Sequence, residues 1–454
     1  MFAEPLPRSR SHITLVLCAL LHGFTHAYCT ALVPLYLMIR DDLGLRGVRA
    51  ASLIVTIYGM VYCLGSYGAG VLADRFNRKI LLGIGLIGNA FAITAMGLTR
   101  QYEMLILLGV LAGIFGTLFH PSANALIPAH YPKSPGMAIG LLGMGSGLGF
   151  FLGPQYAGWR AETASWHWGQ IADWQRPCVE LGLMGVVVGI VFLLFAREAR
   201  QPKRSSPSDG TEDAMLPNRV AIEAIVTDIR GPHERTHPHL TRSLRNKTIA
   251  LGMLLGWRDF AGIASISLLS IYLQKAHGYT AKHAGLVVGG MMLLSILINP
   301  LAVYFSPGKR RLRSLIAVLI LAGLTIATVP MFPVVWVLPV MCIFQCFQMG
   351  SYSISDAAVL ERVSPAVRGR VVGLFLMIAG TLASLSPWVM GFWSDMLKER
   401  ASEPHAYLPI FGTLGAMLFV ATSATPLIAR MGEAAAPSAV PPIKESAGTL
   451  EAAR

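Results

Sequence analysis

The sequence predicts an all-α membrane protein with twelve transmembrane helices in two six-helix halves, on three observations. Only 13% of its 454 residues are charged and 54% are hydrophobic, against about 25% charged in a soluble globular domain. Twelve apolar runs are each long enough for the roughly 20 residues that a membrane span requires. A charged loop, Gly70-Val-Leu-Ala-Asp74-Arg75-Phe-Asn77-Arg78-Lys79, separates the second and third runs, and another, Pro307-Gly-Lys-Arg-Arg311, separates the eighth and ninth. Charged residues at a tight turn between membrane-length helices, with an acid in the first loop and bases alone in the second, are expected to mark a hinge in each of two similar bundles. Sustained two-residue alternation is absent, which argues against a β-barrel.

The runs fall at 12–38, 48–72, 79–98, 103–129, 137–157, 178–196, 249–273, 281–305, 312–332, 334–360, 367–393 and 406–429. The first is longer than a signal peptide's apolar region and lacks a small-residue cleavage site, so it is expected to be a retained helix. With the N-terminus in the cytoplasm, 26 of the 37 Lys and Arg residues lie inside, ten outside and Arg258 within a span. The positive-inside rule then sets both termini in the cytoplasm. The excess persists, as 16 against ten, when the long 197–247 segment is left out. The net charge of +13 is therefore topology and not a nucleic-acid footprint. Cys18, Cys29, Cys63, Cys178, Cys342 and Cys346 lie in or beside the apolar runs without zinc-like spacing, so no disulfide is expected.

Composition divides the chain into a first bundle at 1–196, a cytoplasmic linker at 197–247, a second bundle at 248–430 and a tail at 431–454. The linker is rich in Arg, Pro, Ser and His, with one candidate short helix at 220–229, and the tail is rich in Ala, Pro and Glu; both suit disordered segments. The fifth run carries Gly143, Gly145, Gly147, Gly149 and Gly153, small residues that let helix backbones approach in lipid. Pro154 follows, which frees a carbonyl and permits a kink; packing and a gating hinge both fit. The outer loop at 158–177 holds Trp159, Trp166, Trp168 and Trp174, suited to an interfacial anchor or to a lid.

A charged side chain at the centre of a membrane helix costs about 2.5–3.5 kcal/mol on insertion scales, so such groups face a cavity or a partner. The deep polar residues are His22 and His26 in the first run, His120 in the fourth, Arg258 and Asp259 in the seventh, and Gln348, Tyr352 and Asp356 in the tenth. His22 and His26 are four apart and share a helix face. They suit a proton relay or a neutral hydrogen-bonding pair; as a metal pair they lack an evident third ligand. His120 either satisfies the backbone disturbed by Pro121 or faces a cavity. Arg258 keeps its charge at any accessible pH and needs a carboxylate or an anionic ligand. Asp259 lies about 100° around the helix, so Asp356 is the expected partner, forming either a coupling switch or a permanent structural pair. No Gly-x-x-x-x-Gly-Lys-Ser/Thr loop is present, so ATP is not the expected energy source.

The Gly70–Lys79 loop resembles the signature loop of the major facilitator superfamily, with Asn77 where glycine is usual. The stretch from Gly149 through Gly153-Pro154 to Gly158 resembles the fifth-span motif seen mainly in that family's exporters. A closer likeness is to the fosmidomycin-resistance type of exporter. It rests on His22-Gly-Phe-Thr-His26, with His26 in place of an acid, on Phe119-His120-Pro121, and on Arg258. The resemblance implies two six-helix bundles about a pseudo-two-fold axis, with spans one, four, seven and ten lining a central cavity and substrate bound near the midplane. It implies that Gly70, Asp74, Arg75 and Arg78 stabilise one conformational state without touching substrate. The expected function is proton-coupled efflux of a small anionic or amphiphilic organic solute by a single chain in a bacterial inner membrane, without cofactor, metal or nucleic acid. A proton-coupled importer of a carboxylate or phosphoester is the alternative, and a membrane-embedded receptor or enzyme is the competitor from another class.

Overall fold

The computed structural model describes residues 8–132, 134–163, 171–198, 240–364 and 367–431. Among these there is no strand. The first half contains α1 (Arg8–Ala31), α2 (Tyr36–Asp42), α3 (Val48–Arg75), α4 (Arg78–Met96), α5 (Tyr102–Gly116), α6 (Phe119–His130), α7 (Pro135–Glu162) and α8 (Gln175–Phe195). The second contains α9 (Arg242–His277), α10 (Ala281–Leu293), α11 (Ser295–Tyr304), α12 (Arg311–Ala327), α13 (Val334–Arg362), α14 (Arg368–Ser384), α15 (Ser386–Met396), α16 (Leu408–Ala421) and α17 (Ala424–Ala429).

Ten of the twelve predicted spans are helices long and apolar enough to cross a membrane. The eighth is divided at Leu294 into α10 and α11. The ninth, α12, has 17 residues, about 26 Å at 1.5 Å per residue. The suggested helix at 220–229, together with Trp166 and Trp168, lies outside the described residues. The seventh span begins as a helix at Arg242, seven residues ahead of its apolar run, because the Thr241 hydroxyl accepts from the Leu244 N–H at 3.2 Å and caps it. It ends where Gly278 adopts φ 65° and the Tyr279 N–H reaches back to the Leu273 carbonyl at 3.0 Å, a left-handed stop that glycine adopts without strain.

The repeated charged loops have matching internal geometry. In the first, Arg78 Nε donates to the carbonyl of Ala73, five residues back, at 3.3 Å, and its Nη1 donates to the Ala125 carbonyl on α6. In the second, Arg311 Nε donates to the carbonyl of Ser306, again five residues back, at 3.0 Å, and its Nη1 pairs with Glu361 at the end of α13. Each arginine thus ties the loop after the second span of its half to the end of the fourth.

The two halves touch at one end. The Asp395 carboxylate on α15 accepts from the backbone N–H groups of Val48 and Arg49 at the start of α3, both at 3.0 Å. Lys275 Nζ on α9 lies 3.6 Å from the same carboxylate and donates to Ser394 Oγ at 3.1 Å. Nearby, Gln274 donates to the Pro34 carbonyl, Ser270 to the Val33 carbonyl, the Lys282 N–H to Glu162 and the Trp388 N–H to the Thr56 hydroxyl. Toward the other end the same helices part. A Cβ added at Gly59 or Gly380 would press on Ser384 or Cys63 across the halves, whereas one added at Gly68, Gly70, Gly136, Gly140 or Gly373 would meet nothing within 4 Å. Among the described residues, the halves are joined by hydrogen bonds at the end of the α2–α3 turn, and the glycines nearest the α3–α4 turn face open space.

Candidate functional site

The polar residues of the first half converge through α1, α6 and α7. A Cβ at Gly145 or Gly149 would overlap the carbonyl oxygen of Ala19 or Gly23, so the glycines of α7 let its backbone lie directly on α1. That approach brings the Leu142 carbonyl to His22, whose Nδ1–H donates to it at 2.8 Å. A neutral ring with its hydrogen on Nδ1 has a lone pair on Nε2. His26 Nε2, 3.1 Å away, is then the donor, and His26 Nδ1 keeps a buried lone pair with no partner. The break between α5 and α6 places Pro121 in the first turn of α6, where its missing N–H leaves no helical bond unmade. His120 turns toward its fellow histidines: its ring centroid lies 5.1 Å from that of His22 and 5.7 Å from that of His26. Phe119 stacks on His22 at 4.7 Å and Phe150 packs on His26 at 4.4 Å. Three imidazoles from two spans thus offer nitrogen atoms within 4.8 Å of one another. The structure supplies the third histidine that the four-residue spacing of His22 and His26 lacked.

The second cluster lies between α9 and α13. Arg258 is fully buried, and its Nε donates to Asp259 Oδ1 at 2.7 Å. The expected pairing with Asp356 is not formed. The arginine side chain is long enough to bend back to its sequence neighbour, and the face of α13 it meets carries Ser351, Tyr352 and Ser355, one position short of Asp356. Arg258 Nη1 donates to Ser355 Oγ at 2.7 Å and to the Ser351 carbonyl at 3.3 Å, and the guanidinium carbon sits 4.0 Å from the Tyr352 ring centroid. Gln348 Nε2 donates to the Arg258 carbonyl at 2.9 Å. Two buried atoms of this cluster have no partner, Arg258 Nη2 and Gln348 Oε1. Asp356 is exposed. Ser351 and Ser355 escape a sequence search because hydroxyls are common in membrane helices and only the arginine's reach selects these two.

The hinge residues divide. Asp74 and Arg75 are exposed at the open end and Gly70 faces empty space, while Arg78 is held as described above. Asn77, in the position where the signature loop usually has glycine, accepts from the Ile80 N–H at 3.1 Å and caps α4. Gly153 approaches Ala27 and Thr30 on α1, while the Pro154 carbonyl meets Gly285 on α10. The fifth span therefore packs against both halves through its small residues, and α7 continues as one helix through Pro154.

The model of the Major Facilitator Superfamily matches residues 15–387. The chain belongs to that superfamily. Among curated relatives, the multidrug resistance protein MdtG of Dickeya zeae is 29% identical over 265 residues, covering 57% of this chain and 56% of the relative. MdtG of Enterobacter lignolyticus is 33% identical, covering 58% and 59%. The tetracenomycin C resistance and export protein of Streptomyces glaucescens is 26% identical, covering 53% and 49%. The chain spans about half the length of the curated relatives it matches. Among solved structures, a bacterial homologue of the human lysosomal transporter Spinster, in an inward-facing and unoccupied conformation, aligns with a TM-score of 0.66 at 17% identity, covering 94% of this chain and 96% of that one. The nucleoside transporter NupG aligns with a TM-score of 0.65 at 13% identity. The fold is that of the superfamily, an all-α multi-pass membrane protein.

Proposed function

We propose that this chain is a proton-coupled exporter of small amphiphilic organic molecules in a bacterial inner membrane, working by alternating access between its two six-helix bundles. With the termini in the cytoplasm, the end opened at the α3–α4 turn faces inward, ready to load cargo from the cytoplasm or the inner leaflet. The observation that carries this reading is the gathering, among the described residues, of the hydrogen bonds between the halves toward one end, with polar clusters on spans one, four, seven and ten. Curated relatives named for multidrug resistance and for tetracenomycin C export favour efflux. Asp259 already neutralises Arg258, so an anionic group on the cargo would add a hydrogen bond to Arg258 Nη2 rather than supply the missing charge. Gln348, Tyr352 and Asp356 complete the cargo contacts in this reading, and His22, His26 and His120 carry the proton.

The test uses full-length protein in liposomes with an imposed pH gradient and three probes: an amphiphilic dye cation, a neutral aromatic polyketide and an aromatic carboxylate. Movement of at least one probe against the proton flux, abolished by collapsing the gradient, is expected. Movement in the same direction as protons would instead make the chain an importer, and flux indifferent to the gradient would remove proton coupling.

A further inference from the structure

We propose that His22, His26 and His120 form a binding site for a divalent transition-metal ion of the zinc type. Imidazole nitrogen suits Zn²⁺, Co²⁺ and Ni²⁺, and three histidines with one open position are a known zinc ligand set. The Nε2 atoms of His22 and His26 are 3.1 Å apart. Two ligands on one tetrahedral zinc, each at about 2.0–2.1 Å, sit about 3.3 Å apart, so the spacing already suits an ion, which would take the place of the shared hydrogen once both rings tilt to aim their lone pairs at it. His22 is already oriented as a ligand. Its Nδ1–H is held by the Leu142 carbonyl at 2.8 Å, the second contact that metal-binding histidines characteristically make to fix the ring and its lone pair. His120 brings a third nitrogen within 4.8 Å of the other two, and a shift of about 1.5 Å would bring it to the separation of ligands on one zinc.

Two further observations separate this cluster from an ordinary packed histidine pair. The His26 ring can change tautomer: Nε2 carries the hydrogen shared with His22 while Nδ1 holds a buried, unpaired lone pair, so the hydrogen can move to Nδ1 and free Nε2 for the ion. The surroundings are aromatic, with Phe119 and Phe150 against the rings and Tyr62 6.0 Å from His120, so the site would keep a bound ion away from bulk water. His26 and His120 nonetheless retain partial exposure, which leaves a path for the ion and a place for water as fourth ligand.

The experiment needs no transport assay. Ion and proton compete for the same nitrogens, so a bound ion would displace the proton these rings carry in the efflux reading, whereas failure to bind leaves that reading untouched. Full-length protein purified through a streptavidin-binding tag, free of added histidines, is titrated with Co²⁺ and then with competing Zn²⁺. We expect a visible d–d absorption saturating at one ion per chain, bleached by Zn²⁺. His26→Gln and His120→Gln should each weaken binding by about tenfold or more, with unchanged size-exclusion profiles. Absence of the band in the wild-type protein overturns the site. So does a band of equal strength in the His26→Gln/His120→Gln double variant, which would assign the ion to surface histidines such as His12, His130 or His283.

Discussion

Arg258 shows how one buried charge organises its surroundings. Its guanidinium is shared between an acid on its own helix, two groups on α13 and the face of Tyr352, with Nη2 left over. Removing one member of a buried ion pair strands the other, at a cost of about 3–5 kcal/mol. Asp259→Asn should therefore lower the thermal stability of the purified protein sharply. Asp356→Asn, at an exposed position outside the pair, should leave stability within about 0.5 kcal/mol while lowering transport. Thermal unfolding of the two variants in one detergent separates them, and equal losses would mean that Asp356 shares in holding Arg258. At the same scale, His26→Gln keeps a hydrogen-bonding side chain but cannot take up a proton. Its flux should be flatter across neutral pH than that of the wild type, and an unaltered profile would leave His26 with a packing role alone. Sequence alone named both clusters, because ionisable groups in apolar runs are few and expensive. It misassigned the partner of Arg258, since an angle of 100° between neighbouring Cα positions says little about where a long side chain ends. It named His120 as well but did not join it to His22 and His26 as a third ligand, because spacing along one helix does not show which ring of another span turns toward it.

Helix-level order follows from where backbones touch. The fifth span meets α1 on one face and α10 on another through glycine contacts, so it can be the sliding element between the halves as well as a strut within its own. The small-residue pattern was legible in the sequence; which helices it meets was not, because glycine specifies closeness but no partner. The closed end depends on a contact with no sequence signature at all. Asp395 caps α3 from the other half, accepting from two N–H groups that the helix start would otherwise leave to water. Loss of a helix cap costs about 0.5–2 kcal/mol, equivalent to about 2- to 30-fold in a conformational ratio. Asp395→Ala should shift the population by that factor toward the state open at this end. Spin-label distances between α3 and α15 would record it as a new long-distance component, whereas an unmoved distribution would make the cap incidental to closure.

On the scale of the whole molecule, the two halves carry one design that has diverged at a functional point. Arg78 and Arg311 hold their loops through the same i−5 carbonyl contact, which explains why both loops retain an arginine in that place. The acid differs. In the second half Glu361 at the end of α13 supplies the carboxylate for Arg311, and the loop has none of its own. In the first half Asp74 is exposed at the open end, where a carboxylate gains little from water. We propose that it acts when that end closes, by meeting a helix N-terminus or a base of the opposite half, as a carboxylate near a helix start gains about 0.3–1 kcal/mol or more. A residue that acts only in the closed state alters the rate of exchange between states and leaves cargo affinity in the open state intact. Asp74→Asn should thus reduce turnover in liposomes several-fold while equilibrium binding of the same cargo to detergent-purified protein stays within about twofold, a difference of about 0.4 kcal/mol. A variant that loses binding and keeps its turnover per bound cargo would place Asp74 in the cargo site and remove the loop from the hinge.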